Sequence, residues 1–315
     1  MIRVEVLLTE QEMAGGFLEA FTRRYLPEQF FYWFPLSVKA WLDLCTGGAY
    51  RNYVRSYELI QENAAHIASR LPQGEVEVIS LGAGQGDKDV LILDALRTSG
   101  RHIEYIPVDA SQSLLEITCS RAMEAGFSCR AIKADLTNLE HLMRLGPPKQ
   151  SKKTRLMLLL GGTIGAFDPD RYLRDLCSIV NEEDFLLIDG ELYAGSQTMA
   201  GYDNPLNRQF AFAPLKSVGI TDSGGEVCFD MREDPSTPGL YVVSKSFVAL
   251  QDLELSVAGI PVMLKSGEKI EMSGSAKYRK ETFLQLICQG GKLLCEADYL
   301  TNDGRFMMAL VTPQE

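Results

Sequence analysis

Residues 76–93 read VEVISLGAGQGDKDVLIL, and residues 105–111 read YIPVDAS. A β-branched apolar run ends in a glycine-rich turn, and the turn opens DKDVLILDAL, whose apolar spacing is helical. The second strand-like run ends in an acid, Asp109, 27 residues beyond Gly82. Strand, glycine turn, helix, strand and terminal acid make up the nucleotide-binding half of a doubly wound α/β sheet. Gly82, Gly84 and Gly86 let the backbone approach a ligand closely, and the acid suits a ribose diol.

Glycine spacing then separates cofactors. A dinucleotide fingerprint G-x-G-x-x-G begun at Gly82 requires glycine at 87, where this chain has Asp87; the third glycine falls at 86. A helix N-terminus favours incoming negative charge, so an acid there opposes a pyrophosphate. S-adenosylmethionine has no phosphate and carries a sulfonium cation, which tolerates acids nearby. The spacing therefore ranks methyl transfer ahead of hydride transfer.

The chain has 315 residues, 46% of them hydrophobic, enough for a large core in one big domain or two. No apolar stretch reaches the length of a membrane span, and the N-terminal MIRVEVLLTEQEMAGG places acids where a signal peptide needs an apolar core. A cytoplasmic protein without a membrane partner is expected. The net charge of −11 opposes nucleic acid as a partner, because phosphate contacts need a basic footprint. Seven cysteines without a C-x-x-C pair read as reduced thiols, and three scattered histidines give no metal-ligand spacing, so no metal site is expected.

Residues 17–70 read as largely helical, with an aromatic stripe in FLEAFTRRYLPEQFFYWF that suits core packing. From Glu75 strands and helices alternate. Ser111 is placed to cap a helix, CRAIKADL is the next strand, and RLMLLLGG, after the Pro/Lys-rich loop 146–154, is apolar enough for a central parallel strand. Beyond residue 196 the runs VVSKSFVAL, LELSVAGIPVML and KIEMSGSAKY suggest antiparallel strands, and TNDG signals a closing hairpin. The expected organisation is a parallel-sheet core at 60–195 plus 280–315. A second α+β domain is expected from 1–59 plus 196–279.

Six motifs converge on one family: LGAGQGDKD, YIPVDAS, IKADL, GGTIGAFDP, the YDNPLN segment and SAKYRKE. In that order the chain resembles the histidine Nα-methyltransferase of ergothioneine biosynthesis and its relatives, among them fungal indole-alkaloid N-methyltransferases, over roughly residues 30–315. The resemblance implies a Rossmann-like methyltransferase sheet and an S-adenosylmethionine site. That site would comprise Gly82, Gly84, Gly86, Lys88, Asp109, Ala110, Asp135, Leu136, Gly161, Gly162 and Thr163, with Tyr53 closing over it and S-adenosylhomocysteine as product. Physical readings run alongside: Asp109 can accept both ribose hydroxyls, Asp135 the adenine amino group, and Lys88 can pair with the methionine carboxylate. By the same resemblance Tyr32 and Tyr202 face the acceptor and accept from its amine.

Methyl transfer from a sulfonium needs an aligned, dry, unprotonated nucleophile, and positioning can lower the barrier by about 7–11 kcal/mol. An α-amine with a pKa of about 7.7–8.0 is substantially neutral at physiological pH, so no elaborate acid–base machinery is required. The expected activity is N-methylation of a small amine or amino-acid-derived metabolite, as in secondary-metabolite biosynthesis, with oligomeric state open. Histidine itself is not the expected acceptor. The family's histidine-specific members have asparagine where this chain has Ala166, and glutamate where it has Ser273, two residues before Ser275. Glu271 would take the glutamate role if the alignment slipped by two. Three alternatives compete: a histidine Nα-methyltransferase, a nicotinamide-dependent oxidoreductase, and a catalytically silent cofactor-binding relative.

Overall fold

The computed structural model describes residues 2–48, 50–146 and 153–314; most of the Pro/Lys-rich loop (147–152) lies outside them. In chain order the strands are β1 (Val4–Val6), β2 (Tyr25–Leu26), β3 (Glu75–Leu81), β4 (His102–Asp109), β5 (Ala131–Lys133), β6 (Thr154–Leu159), β7 (Phe185–Glu191), β8 (Gly225–Glu233), β9 (Leu240–Ala249), β10 (Leu253–Val257), β11 (Ile260–Leu264), β12 (Lys269–Tyr278), β13 (Leu293–Leu300) and β14 (Phe306–Pro313).

Eight strands form one sheet in the order β1-β5-β4-β3-β6-β7-β14-β13. β1 through β7 of this sheet run parallel, and β14 is antiparallel to both neighbours. β3 has β4 on one side and β6 on the other, so the chain reverses its winding there. The carboxyl ends of β3 and β6 flank the crevice where such sheets bind ligands. β6 is buried along nearly its whole length, as its apolar run requires of a strand covered on both faces.

The glycine turn behaves as its sequence dictates. Gly86, at φ 72°, caps the helix Asp87–Thr98, a left-handed conformation that a side chain resists. Ser111 caps the helix Gln112–Glu124, its hydroxyl accepting from the Leu114 N–H at 3.3 Å. TNDG joins β13 to β14 as an antiparallel pair.

The second sheet has the order β2-β12-β9-β8, and β10 and β11 form a separate hairpin. One apolar core unites helix Glu10–Arg23, the turn Glu28–Phe31 and helix Pro35–Thr46 with helix Pro205–Lys216 and this sheet; Phe17, Phe21, Phe30 and Phe31 join Phe210, Phe247 and Ile270 there. Most of the aromatic stripe is therefore core. Two boundaries differ from expectation. β1 pairs with β5, so residues 4–6 belong to the large sheet rather than to the second unit. The helix Arg51–Arg70 packs on helix Asp87–Thr98 and on β14, so the division at 59/60 falls inside one helix of the core layer.

Candidate active site

The carboxyl edge of the large sheet opens into a cavity of about 600 Å³, closed on the far side by the turn at Glu28, helix Pro205–Lys216, β9 and β12. Small-molecule sites typically span about 300–1,000 Å³. The turn Thr163–Ala166 seams the two sheets together: a Cβ on Gly165 would lie 2.8 Å from the Ala276 carbonyl oxygen of β12, so only glycine lets them meet.

Of the residues expected at the site, all but Gly86 line this cavity. Gly86 packs instead: a Cβ there would sit 2.7 Å from Thr118 Cγ2, on the neighbouring helix. Its missing Cβ lets the loop and that helix close up.

In the nucleotide half, Asp109 is buried, and one oxygen accepts from the Gly84 N–H at 3.1 Å, the other from the Ser111 N–H at 2.9 Å. Two backbone donors fix the carboxylate and leave lone-pair capacity on both oxygens for a diol. Burial pushes its pKa up to about 6, only partly offset by those N–H donors. Asp135 Oδ1 accepts from the Thr137 N–H at 2.8 Å and its hydroxyl at 2.7 Å, and Leu136 stands beside it in the cavity wall.

Lys88 lies 5.3 Å from the Tyr53 ring centroid and close over Gly161, where a Cβ would collide with its ammonium. The Tyr53 hydroxyl donates to Asp87. The acid that argued against a pyrophosphate is thus engaged at the first turn of the helix. Asp189, at the carboxyl end of β7, accepts from the Gly162 N–H at 2.7 Å and the Ser56 hydroxyl at 2.5 Å, and burial raises its pKa. The Thr163 hydroxyl is spent on the Leu160 carbonyl at 2.7 Å, so Thr163 shapes the turn and offers its methyl toward Gly82.

In the other half, Tyr202 donates to Glu191 Oε2 at 3.0 Å and lies 3.5 Å from the Ser275 hydroxyl. Lys277 Nζ meets the same Glu191 oxygen at 3.0 Å and donates to Ser275 Oγ at 2.6 Å, and Asn52 also donates to Glu191. Tyr50 hydrogen-bonds the Tyr202 hydroxyl. Burial first, and the neighbouring Glu191 second, raise the Tyr202 pKa well above 10. Burial and then Glu28 do the same for Tyr32, whose hydroxyl donates to Glu28 at 2.9 Å. Both are neutral phenols, suited to accept an amine N–H rather than to act as phenolate bases. Ala166 presents only a methyl.

Sequence reading missed Glu28, Tyr50, Glu191, Lys245 and Lys277. Glu191 ends a parallel strand, the usual place for site residues, and Lys277 lies two residues beyond Ser275; both signals were available. Glu28 lies in an aromatic run whose pattern speaks only of core. Among the described residues, no group of three or more His, Cys, Asp or Glu is placed to hold a metal ion, and no helix is long and apolar enough to cross a membrane.

A doubly wound sheet with a glycine turn, an acid at the start of the helix that follows it and a buried acid at the end of the next strand is the architecture of the nucleoside-binding methyltransferase class. The chain belongs to the family described as histidine-specific methyltransferase, SAM-dependent, which it matches over residues 10–218. It is 28% identical over 154 residues to the histidine N-alpha-methyltransferase of Mycobacterium tuberculosis, covering 47% of this chain and 46% of that protein. It is 23% identical over 250 residues to the N-methyltransferase fsqC of Aspergillus fumigatus (75% of this chain, 66% of that one). To the N-methyltransferase imqF of Aspergillus flavus it is 23% identical over 266 residues (80% and 71%). The chain thus aligns with about half the length of the first relative and two thirds of the second.

Proposed function

We propose that this chain is an S-adenosylmethionine-dependent N-methyltransferase whose acceptor is a small amine or amino-acid-derived metabolite other than free histidine. The observation that carries the reading is that one cavity is lined by Asp109, Asp135 and Lys88 and also by Tyr202 and Ser275. The donor set fits an adenosyl ligand: a backbone-anchored carboxylate for the diol, a second acid for the adenine amino group, and an ammonium for the methionine carboxylate.

When bound, S-adenosylmethionine supplies an electrophilic methyl on sulfur. The protein's share is positioning. Tyr202 stays a neutral phenol that donates its hydroxyl hydrogen to Glu191, so toward the cavity its oxygen can only accept. Lone-pair capacity not used by Tyr50 can receive the acceptor's N–H and aim the nitrogen. Tyr53 and Tyr50, at the start of helix Arg51–Arg70, line the cavity with aromatic rings that would limit water beside the reacting atoms. Displacement forms a C–N bond and breaks a C–S bond, and the proton on nitrogen leaves to solvent. Ala166 argues against histidine, since it does not supply the amide found in histidine-specific members; at Ser273 the carboxylate of those members is replaced by that of Glu28, which the Ser273 hydroxyl touches.

Calorimetry with S-adenosylhomocysteine, followed by transfer of labelled methyl groups to a panel of amines, tests the reading. Micromolar or tighter binding and labelling of an amine are expected. Efficient trimethylation of free histidine would overturn the acceptor assignment, and absence of any cofactor binding would overturn the activity. Tighter binding of NAD than of S-adenosylhomocysteine would favour an oxidoreductase instead.

A further inference from the structure

Glu28 opens a turn of 3₁₀-helix, and its side chain enters the cavity 20% exposed. Three donors converge on it: the Tyr32 hydroxyl on Oε1 at 2.9 Å, and Lys245 Nζ at 3.3 Å with the Ser273 hydroxyl on Oε2. They come from three segments, with Lys245 on β9 and Ser273 on β12. The Lys245 ammonium is itself pinned, 3.8 Å from the Phe31 ring centroid and 5.6 Å from that of Phe210. A carboxylate offers about four lone-pair sites, so one acceptor position on Oε1 is left unfilled. Beside it stand three mutually packed rings, Tyr32, Trp41 and Phe210, with centroids 5.4–5.5 Å apart.

From this arrangement we infer that Glu28 reads the far end of the acceptor, and that the acceptor is an aromatic amine carrying a ring N–H or O–H. The inference rests on the methyltransferase reading above and names its substrate class. Two features set the geometry. Tyr202 and Ser275 receive the reacting nitrogen, and Ser273, two residues back along β12, anchors Glu28. A β-bulge between Met272 and Ser275 shortens β12 there, so the two serines lie within the roughly 7 Å that two regular strand residues span, inside the reach of an arylethylamine. The aromatic walls take the ring, and the spare Oε1 site takes its hydrogen-bond donor. Lys245 and Ser273 are positioning residues that hold the carboxylate still.

The test measures discrimination, which a purely structural role for Glu28 would leave unchanged. Protein saturated with S-adenosylhomocysteine is titrated with matched pairs: tryptamine against its ring-N-methyl derivative, and tyramine against phenethylamine. Hydrogen bonds to charged groups predict that the wild-type chain prefers the ring-donor member by about tenfold or more. Glu28→Ala should bring the ratio below about threefold. Glu28→Gln, which keeps size and one acceptor oxygen, should reduce it at least about threefold, because charged hydrogen bonds are roughly twice as strong as neutral ones. If Glu28→Ala fails to fold, Glu28→Gln decides. Equal binding within each pair by the wild type, or a ratio unchanged in the variant, overturns the inference. Cofactor binding and methyl transfer on the same samples report on the activity alone, so the two failures are distinguishable.

Discussion

Tyr202 spends its one hydroxyl proton on Glu191, 3.0 Å away, and the same carboxylate oxygen holds Lys277 at 3.0 Å. Glu191 is 6% exposed and Lys277 2%, so this ion pair is buried directly behind the cavity wall. The pair turns a tyrosine, ordinarily donor and acceptor at once, into an acceptor toward the cavity.

Two substitutions separate the phenol from the pair. Tyr202→Phe should leave Glu191 with Lys277 and Asn52, costing about 1–2 kcal/mol of stability. It should lower kcat/KM for the acceptor about 10²-fold while S-adenosylhomocysteine affinity holds. Glu191→Gln leaves a buried ammonium without its counter-charge and should cost about 3–5 kcal/mol. Urea unfolding and steady-state kinetics on both variants check this; equal stability losses would remove the distinction.

Asp109→Ala should weaken S-adenosylmethionine and S-adenosylhomocysteine alike, by about 2–4 kcal/mol, since one carboxylate serves two hydroxyls. Calorimetry giving equal affinities for wild type and variant would dismiss the ribose contact.

The same residue sets a pH dependence. Burial lifts its pKa from 3.8 in the ordinary case to about 6, and buried Asp89, hydrogen-bonded by Tyr105, is lifted to about 6 as well. Between about pH 4 and 6 the folded ligand-free chain therefore binds more protons than the unfolded chain, and these two groups make stability fall as pH rises through that window. Cofactor affinity should move the opposite way. The diol needs the carboxylate as acceptor, so affinity should drop up to about tenfold per pH unit below about 6. Asp109→Asn should flatten that drop, and titrations from pH 5 to 8 would show it.

Arg155, at the start of β6, is almost wholly buried. It donates to Asp184 at 3.0 Å and to the carbonyls of Leu145 and Ile179 at 2.9 and 2.8 Å. Asp184→Asn should destabilise the fold by about 3–5 kcal/mol, because the guanidinium would remain buried with its charge unpaired. Denaturant midpoints measure it, and a loss under about 1 kcal/mol would show that solvent reaches the pair.

The large sheet was legible because its signals are local: apolar runs, a glycine turn, and an acid at a strand end. The second sheet was only partly so. LELSVAGIPVML is a tight hairpin whose turn residues, Ala258 and Gly259, both have positive φ (50° and 80°). Alanine seldom adopts that conformation, so nothing in the sequence marks the turn. β1 escaped for a different reason. Three residues carry no periodicity, and only pairing with β5 makes them a strand. The residues proposed to hold the cofactor were read from position along the strands, whereas Glu28 reaches Ser273 across 245 residues, a contact that no local pattern encodes.

That contact changes what it would take to build a histidine site here. Ala166→Asn restores an amide with up to four hydrogen-bonding positions and should raise histidine affinity measurably. Ser273→Glu should not help by itself, because the Ser273 hydroxyl already touches Glu28. A second carboxylate there would face the first with only Lys245 between them. Like charges sharing a site force one to hold a proton, and Ser273→Glu alone should cost about 1–3 kcal/mol of stability. Adding Glu28→Ser to it should recover most of that loss by moving the single carboxylate from one segment to the other. The order expected in thermal unfolding is wild type and the Glu28→Ser/Ser273→Glu pair together, with Ser273→Glu alone well below. If the single and double variants melted alike, the two positions would not share one electrostatic site.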